Sequence, residues 1–464
     1  MKQDRTLINK AITLPATSPL LKNDFIFGVA TASFQIEGAA DSRLDTIWDT
    51  FCATPGKIRD GSDGKTACEH VSHWEEDLRL IRSMGVDAYR FSVSWARVIH
   101  ADGSVNQQGL DFYIALLDRL NEYAIKPFVT LYHWDLPQYL EDQGGWLNRE
   151  TAYKFRDYAD RVSRAFGDRV HSYATLNEPF CSAYLGYEAG IHAPGHKSRA
   201  YGKQAAHHLL LAHGLAMEVL ERNAPEALNG IVLNFSPCYP ESDSAEDIEA
   251  ANMADEYFNH WYLQPLLEQR YPDVLEKLPR SEHPPVMPGD MAIIGHKLDY
   301  IGINYYTRER YQASASELFE KLEHEQQPLT DMGWEVFPQG LTDLLLDYHQ
   351  RYLLPPVYIT ENGAAMVDKL VDGKVDDPER LAYLQSHLQA VDDAAMQGVD
   401  VRGYFAWSLM DNFEWAEGYL KRFGIVYVDY ESQQRIIKSS GYAYRDFLLQ
   451  KAEQGAGKQQ AGAR

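Results

Sequence analysis

The sequence alternates between amphipathic helix patterns and short β-rich runs, and this alternation constrains the fold more than any other feature. In SHWEEDLRLIRSMG, helical spacing relates Trp74, Leu78, Ile81 and Met84, and Gly85 stands where such a helix can end. The run VDAYRFSVSW that follows is typical of a buried strand. Strand and helix patterns in alternation predict right-handed βαβ units and a parallel sheet.

The same unit recurs along the chain. Further helix patterns stand before KPFVTLYHW, RVHSYATLNEP, GIVLNF, PPVYITENG and VDVRGYFAWS, while FIFGVATASF lies near the start and LDYIGINYY in the middle. With about eight such units, the sequence predicts an α/β fold, a single (β/α)8 TIM barrel with long βα loops. A doubly wound open sheet is the alternative, but it usually has a glycine-rich first turn, and no G-x-G-x-x-G occurs.

A single domain is expected because no low-complexity linker divides the 464 residues. We expect an N-terminal extension over residues 1–18, the barrel over 19–450 and a disordered tail over 451–464. The polar segment near 313–334 is predicted to form a long loop after the sixth strand.

Composition indicates the compartment and excludes some partners. The 44 Lys and Arg against 67 Asp and Glu give a net charge of −23, which disfavours binding to nucleic acid and to anionic membranes. Neither a secretory signal nor a membrane span is recognisable, and the four scattered cysteines suit a reducing compartment. We therefore expect a cytoplasmic protein with buried free thiols, and the sequence does not indicate its oligomeric state.

Chemically suggestive side chains cluster at the ends of the strand-like runs. In a barrel, such positions converge on the C-terminal mouth, where active sites are built. A polar residue can also simply cap a strand, but so many together favour a functional site. These residues are Gln35, Arg90, His133, Trp134, Asn177, Glu178, Asn304, Tyr306, Glu361 and Trp407.

Glu178 and Glu361 are the strongest catalytic candidates, because each follows an apolar strand and is expected at the mouth. Strands four and seven are expected to face each other across the barrel, so that the two carboxyl groups flank one bond. A separation of roughly 5–5.5 Å would give hydrolysis with retention, and roughly 6.5–9.5 Å would give inversion. The sequence does not supply this distance.

Aromatic and amide side chains near the predicted mouth favour a sugar ligand. The apolar face of a pyranose stacks on indole, and its hydroxyl groups need amide, imidazole or carboxylate partners. Core packing is the alternative role for each tryptophan. The stacking candidates are Trp134, Trp334, Trp407 and Trp415, and the hydroxyl-binding candidates are Gln35, His133, Asn177 and Glu414.

No metal or cofactor is expected. The Gly64-Lys65-Thr66 run lacks the first glycine of a phosphate loop. His207, His208 and His213 share one predicted helix, but no H-E-x-x-H occurs, so structural histidines are the preferred interpretation.

Seven stretches together resemble glycoside hydrolase family 1, the β-glucosidase family, over residues 19–450. They are FIFGVATASFQIEGA, YRFSVSWARV, LYHWDLPQYL, TLNEPF, GINYYTR, YITENGA and FAWSLMDNFEWAEGYLKRFGIVYVD. The resemblance implies a (β/α)8 barrel that removes terminal non-reducing β-D-glucosyl residues from disaccharides, short oligosaccharides or aryl glycosides with retention. Phe180 stands where this family often has Trp, which leaves the preference for the leaving group open.

The resemblance also implies residue roles. Glu178 of N-E-P is the acid/base and Glu361 of T-E-N-G is the nucleophile, and a cis peptide is implied between Trp407 and Ser408. Glu361 should have its pKa held down by its neighbours, and Glu178 should have a raised pKa in a drier environment. The resemblance implies that the sugar is bound by Gln35, His133, Asn177, Glu414 and Trp415 and stacks on Trp407, while Trp334 forms a wall of the leaving-group site. Asn304 and Tyr306 match the N-Y-Y motif, and Arg90 and Tyr306 are implied to lie beside the nucleophile.

Two other functions remain open at this point. A 6-phospho-β-glycosidase resembles a pattern with Ser in place of Glu414, and here Glu414 would repel a phosphate. A non-catalytic carbohydrate-binding protein would be favoured by the loss of Glu178 or Glu361, and both are present.

Overall fold

The computed structural model describes residues 11–325 and 328–462. Eight parallel strands close into a barrel, in which each pairs with its neighbours along the chain and the first pairs with the last. The predicted (β/α)8 architecture is therefore confirmed. The strands are β1 (Ile26–Ala30), β2 (Ala88–Ser92), β3 (Lys126–Tyr132), β4 (Ser172–Asn177), β5 (Leu228–Asn234), β6 (Tyr300–Asn304), β7 (Val357–Asn362) and β8 (Val401–Trp407).

Helices surround the barrel and form its outer layer. The helices named below are α1 (His70–Ser83), α2 (Gln107–Glu122), α3 (Glu150–Phe166), α4 (Arg199–Asn223), α5 (Trp261–Glu268), α6 (Pro338–Arg351), α7 (Pro378–Met396) and α8 (Ser439–Gly462). Further α-helices lie at Ser33–Ile36, Ile47–Ala53, Trp95–Val98, Gln138–Asp142, Ala245–Asp255 and Asp290–Ile294, and π-helices lie at Cys181–Glu188 and Glu256–His260.

The apolar stripe of α1 faces the hydrophobic core as its spacing predicts. Leu78 and Ile81 are buried, as is Met84 at the end of the helix, while Trp74 is partly buried. Each buried aliphatic side chain of this size contributes about 1.5–3 kcal/mol to folding. Gly85 follows with a φ of +71°, the left-handed conformation that commonly ends a helix.

Aromatic side chains fill the inside of the barrel. The ring of Phe128 on β3 lies 5.6 Å from that of Tyr358 on β7 and 4.8 Å from that of Phe405 on β8. Strand β3 is a neighbour of neither β7 nor β8, so both contacts cross the interior of the barrel. A Cβ on Gly28 of β1 would lie 2.4 Å from the Phe405 ring, so this close approach requires glycine. The floor under the mouth is therefore tightly packed.

The loop after β6 and the chain ends differ in part from the predictions. In the predicted loop, the two-residue strand Glu320–Lys321 pairs with a strand at Glu309–Gln312. Residues 1–10 of the predicted extension lie outside the described residues, but the Thr13 N–H donates to Gln385 Oε1 on α7 at 2.7 Å. Helix α8 continues to Gly462, beyond the predicted start of the tail, and Lys451 donates to the Phe25 carbonyl.

Among residues 11–325 and 328–462, no helix is both long and apolar enough to span a bilayer.

Candidate active site

Glu178 stands directly after β4 in an uncommon backbone conformation. Its φ is +48°, in the left-handed region that non-glycine residues rarely adopt, and its N–H donates to the Val232 carbonyl of β5 at 2.9 Å. The pairing of β4 with β5 is irregular between Ala174 and Asn177. Such strain is often found at functional sites, at a cost of about 1–3 kcal/mol. The side chain is 5% exposed, so the strand end directs this carboxyl group into the protein.

Neutral groups surround the Glu178 carboxyl. Asn304 Nδ2 donates to its Oε1 at 2.7 Å, and the Cys181 thiol donates to its Oε2 at 3.0 Å. Burial, together with the nearby negative charge of Glu361, raises the pKa of Glu178 to about 8. A carboxyl group in this state holds its proton at neutral pH and can donate it.

Glu361 lies near the end of β7, at an irregularity in the strand. The register shifts on both sides, against β6 and against β8, between Ile359 and Asn362. Irregularities of this type often re-aim a side chain beside an active site. Arg90 Nη1 donates to Glu361 Oε1 at 2.9 Å, and the Tyr306 hydroxyl donates to Oε2.

Arg90 and Tyr306 were expected to hold the pKa of Glu361 down, and both do lower it. Burial outweighs the two donors, because Glu361 is only 3% exposed, so the pKa of Glu361 is raised overall. Arg90 and Tyr306 nevertheless favour the ionised form. The cation bonded to Glu361 makes it the better carboxylate of the pair, while Glu178 has only weaker, neutral donors among the described contacts.

Arg90 and two asparagines connect the two carboxyl groups. Arg90 Nη2 donates to Asn177 Oδ1 at 2.6 Å, and Asn304 Nδ2 donates to the same oxygen at 3.1 Å as well as to Glu178. This short path spans β2, β4, β6 and β7. Strands β4 and β7 were expected to lie across the barrel from each other. Two strands, β5 and β6, separate them on the shorter side, so they lie one position short of directly opposite.

His133 is held by Asn177 in one protonation state. Because Asn177 Oδ1 accepts from Arg90 and Asn304, its Nδ2 faces His133 Nε2 at 3.1 Å and donates to it. Burial, and then the charge of Arg90, lowers the pKa of His133 far below its usual value. The neutral ring therefore has its proton on Nδ1, which is buried without a partner among the described residues.

Gln35 and Glu414 form the second polar side of the mouth. Gln35 Nε2 donates to Asn412 Oδ1 at 2.9 Å and to the Phe413 carbonyl at 2.8 Å, and it lies 3.5 Å from Glu414 Oε2. The Gln35 Oε1 atom is buried without a partner among the described residues. Burial and the charges of Glu361 and Glu178 raise the pKa of Glu414 to about 8. These oxygens can accept hydrogen bonds from ligand hydroxyl groups.

Tryptophans line the mouth, but they do not all have the predicted role. The His133 ring stacks against Trp407 at 6.0 Å and against Trp415 at 5.9 Å, and the predicted cis peptide follows Trp407. Trp334 lies partly exposed beside Tyr306, with ring centroids 5.7 Å apart. Trp134 instead packs against Trp415 at 4.5 Å and donates its indole N–H to the Asn177 carbonyl, so it supports the site.

The structure thus brings every predicted site residue to one end of the barrel. It also adds residues that the motifs did not single out. Thr360 donates to Asn304 Oδ1, Asn412 accepts from Gln35, and Phe423 packs on Tyr306 and Trp334. Cys181 could have been found from its position three residues after Glu178, where one helical turn brings side chains together.

The three histidines of α4 have structural partners. His207 contacts Tyr271 and Asp290, His208 contacts the Trp146 carbonyl, and His213 contacts Thr175. The described residues contain no cluster of potential metal ligands.

Comparison with known proteins gives the family. The model of glycosyl hydrolase family 1 matches residues 17–453. A beta-glucosidase from Agrobacterium sp. is 45% identical over 440 residues, which cover 93% of this chain and 95% of that relative. A bifunctional beta-D-glucosidase/beta-D-fucosidase from Bifidobacterium breve is 45% identical, with 91% and 97% covered. A solved beta-glucosidase from Thermotoga maritima in complex with deoxynojirimycin has a TM-score of 0.90 at 43% identity, with 93% and 98% covered.

Proposed function

The chain belongs to glycosyl hydrolase family 1, and from this premise we propose that it hydrolyses terminal non-reducing β-D-glucosyl residues by double displacement. It is a glycoside hydrolase acting on O-glycosyl bonds. One observation supports the assignment of roles above all others. The two buried carboxyl groups have unlike partners, a cation and a phenol on Glu361 but neutral donors on Glu178.

In the first step, the Glu361 carboxylate attacks the anomeric carbon and forms a glycosyl ester. Arg90 favours the ionised form that this attack needs. Glu178 gives its proton to the glycosidic oxygen as the bond to the leaving group breaks, so the aglycone departs as a neutral alcohol. The raised pKa of Glu178 keeps that proton available at neutral pH.

In the second step, Glu178 changes from acid to base. The charge of Glu361 is lost on esterification, and this charge is one of the causes that raise the pKa of Glu178. Glu178 can then take a proton from water, whose oxygen attacks the anomeric carbon and releases the Glu361 carboxylate. Two inversions give net retention.

We propose that the sugar is bound by the unpaired polar atoms around these carboxyl groups. Gln35 Oε1 and His133 Nδ1 are buried without described partners, and a glucosyl residue with several hydroxyl groups would satisfy them. Trp407 would supply the stacking surface, and partly exposed Trp334 would face the leaving group. Because a relative is named for both activities, fucosides are the second substrate to test.

An assay of the purified protein tests this proposal. It should hydrolyse 4-nitrophenyl β-glucoside, and deoxynojirimycin, which is bound in the Thermotoga maritima structure, should inhibit competitively. A 6-phosphorylated glucoside should be a much poorer substrate, because a phosphate would bring further negative charge to a mouth in which the carboxyl groups already disfavour ionisation of Glu414. A preference for the phosphorylated substrate would establish the rival activity, and no turnover of any β-glycoside would indicate a binding protein.

We further propose a cytoplasmic location and a small-molecule β-glycoside as the main partner. The four cysteines, Cys52, Cys68, Cys181 and Cys238, all have free thiols, which suits a reducing compartment. The absence of disulfides after purification without reductant would support this location, and intermolecular disulfides would speak against it.

A further inference from the structure

A thiol lies against the carboxyl group to which we assign the acid/base role. Cys181 Sγ is 3.0 Å from Glu178 Oε2, and Asn304 Nδ2 holds the other oxygen at 2.7 Å. The Cys181 N–H also donates to the Glu178 carbonyl at 2.9 Å. Cys181 is the first residue of the π-helix Cys181–Glu188, so main chain and side chain together fix the thiol beside this carboxyl.

The thiol can act only as a neutral donor or acceptor. Cys181 is 7% exposed, and burial together with the charge of Glu178 raises the pKa of its thiol well above its usual value. It therefore keeps its proton and does not compete with Glu178 as a base. An S–H donor bonds more strongly to an ionised carboxylate than to a protonated carboxyl group. The contact consequently favours the ionised form of Glu178, against the effect of burial.

We propose that Cys181 is a positioning residue for the acid/base: its thiol fixes Glu178 Oε2 and eases the change of Glu178 from acid to base between the two steps. The inference rests on the proposed function, which gives Glu178 both roles. Glu178 then has one neutral donor on each carboxyl oxygen, the Cys181 thiol and the Asn304 amide. Such donors favour the ionised form only weakly, so Glu178 can donate a proton in the first step and accept one in the second.

The competing interpretation is that Cys181 merely fills space beside Phe180. Two substitutions separate the alternatives. Cys181→Val keeps a similar volume but removes the donor, and Cys181→Ser keeps a donor in less volume. Cys238→Val is the matched control, because the Cys238 thiol donates to the Ser236 carbonyl and not to a carboxylate.

The experiment is the pH dependence of kcat/KM with an alkyl β-glucoside, whose leaving group needs the acid. The alkaline limb reports loss of the proton from Glu178. In Cys181→Val we expect this limb to move to higher pH by roughly 0.5 pH unit, since a hydrogen bond to the ionised form is lost. Cys181→Ser and Cys238→Val should keep the parent limb. If the valine variant does not fold, Cys181→Ala gives the same readout.

Two results would overturn the inference: a parent-like alkaline limb in the folded valine or alanine variant, or an equal shift in the serine variant. A change in kcat or KM without a moved limb would likewise show a space-filling role. Glu178→Ala, measured in parallel with the same alkyl β-glucoside, tests the underlying assignment. If its alkaline limb persists, the role of Glu178 itself fails; if that limb is lost while Cys181→Val is unshifted, only the role of Cys181 fails.

Discussion

At the residue scale, the chemistry depends on how differently the protein surrounds two identical side chains. Glu178 and Glu361 are both buried, and burial raises the pKa of both. The two carboxyl groups differ in the charge of their hydrogen-bond donors. Glu361 accepts from a positively charged guanidinium, whereas Glu178 accepts from a neutral amide and a neutral thiol. Some of these donors could be predicted from the sequence, but the size of their effect on the pKa relative to that of burial could not.

The pH dependence follows from these directions. As pH rises through the pKa of Glu178, about 8, the acid loses its proton and kcat/KM should fall. As pH falls through the pKa of Glu361, the nucleophile is protonated and kcat/KM should fall again. We expect a bell-shaped profile. Glu414, with a similarly raised pKa, is the control: Glu414→Gln should weaken substrate binding yet keep the alkaline limb.

Replacing the acid provides a second test at this scale. Glu178→Ala should lower kcat/KM for alkyl glucosides by about 10²–10⁴-fold, because general acid assistance is lost. Aryl glucosides with good leaving groups should still form the glycosyl ester, and added azide should release it as the β-glucosyl azide, identified by NMR. Formation of the α-azide would be incompatible with attack by Glu361.

Backbone conformation explains why part of the site could not be foreseen. Trp134, Glu178 and Trp415 have positive φ angles of 79°, 48° and 48°. No local pattern of sequence predicts such angles for non-glycine residues, since the surrounding structure imposes them. Trp134 shows the consequence, because its ring packs against Trp415, a contact that its position after β3 did not indicate.

At the element scale, a buried ion network joins the loops that follow β7 and β8. Lys438 Nζ donates to Asp368 at 2.5 Å and to Asp411 at 2.7 Å. Asp411 precedes Asn412, which anchors Gln35, while Asp368 follows the strand that contains Glu361. The network therefore ties the loop that holds Gln35 to the loop beyond Glu361.

Removing the shared cation tests the strength of this connection. Lys438→Met should lower the free energy of unfolding by about 3–5 kcal/mol, because it leaves buried carboxylates with fewer cations. Lys277→Met, which removes the exposed ion pair with Glu249, should cost no more than about 1 kcal/mol. Chemical denaturation measures both, and similar small losses in the two variants would show that the network adds little.

The elements themselves were largely predictable. Parallel strands buried on both faces have runs of apolar residues, and α1 has a stripe of them, so the alternation of strands and helices and the barrel could be predicted from the sequence. The π-helix at Cys181–Glu188 and the irregular strand pairing around Glu361 could not be predicted, because both depend on which segments of the protein pack beside them. These exceptions adjoin the two catalytic candidates.

At the scale of the whole molecule, the net charge of −23 should affect charged substrates and not neutral ones. Between 10 and 500 mM salt, kcat/KM for a neutral aryl glucoside should stay nearly constant. For an aryl glucoside with a carboxylate on its ring, kcat/KM should be lower at low salt and rise as salt screens the repulsion. Parallel salt responses for both substrates would show that the overall field does not reach the mouth.

The most direct test of the account is to trap the covalent intermediate. A 2-deoxy-2-fluoro-β-glucosyl fluoride should inactivate the enzyme, because fluorine at C2 destabilises the positively charged transition states while fluoride leaves readily. Mass spectrometry of the digested protein should find the fluoroglucosyl group on the VYITENG peptide, at Glu361, and Glu361→Gln should remain unlabelled. A label on Glu178 or on any other residue would contradict the double displacement through Glu361.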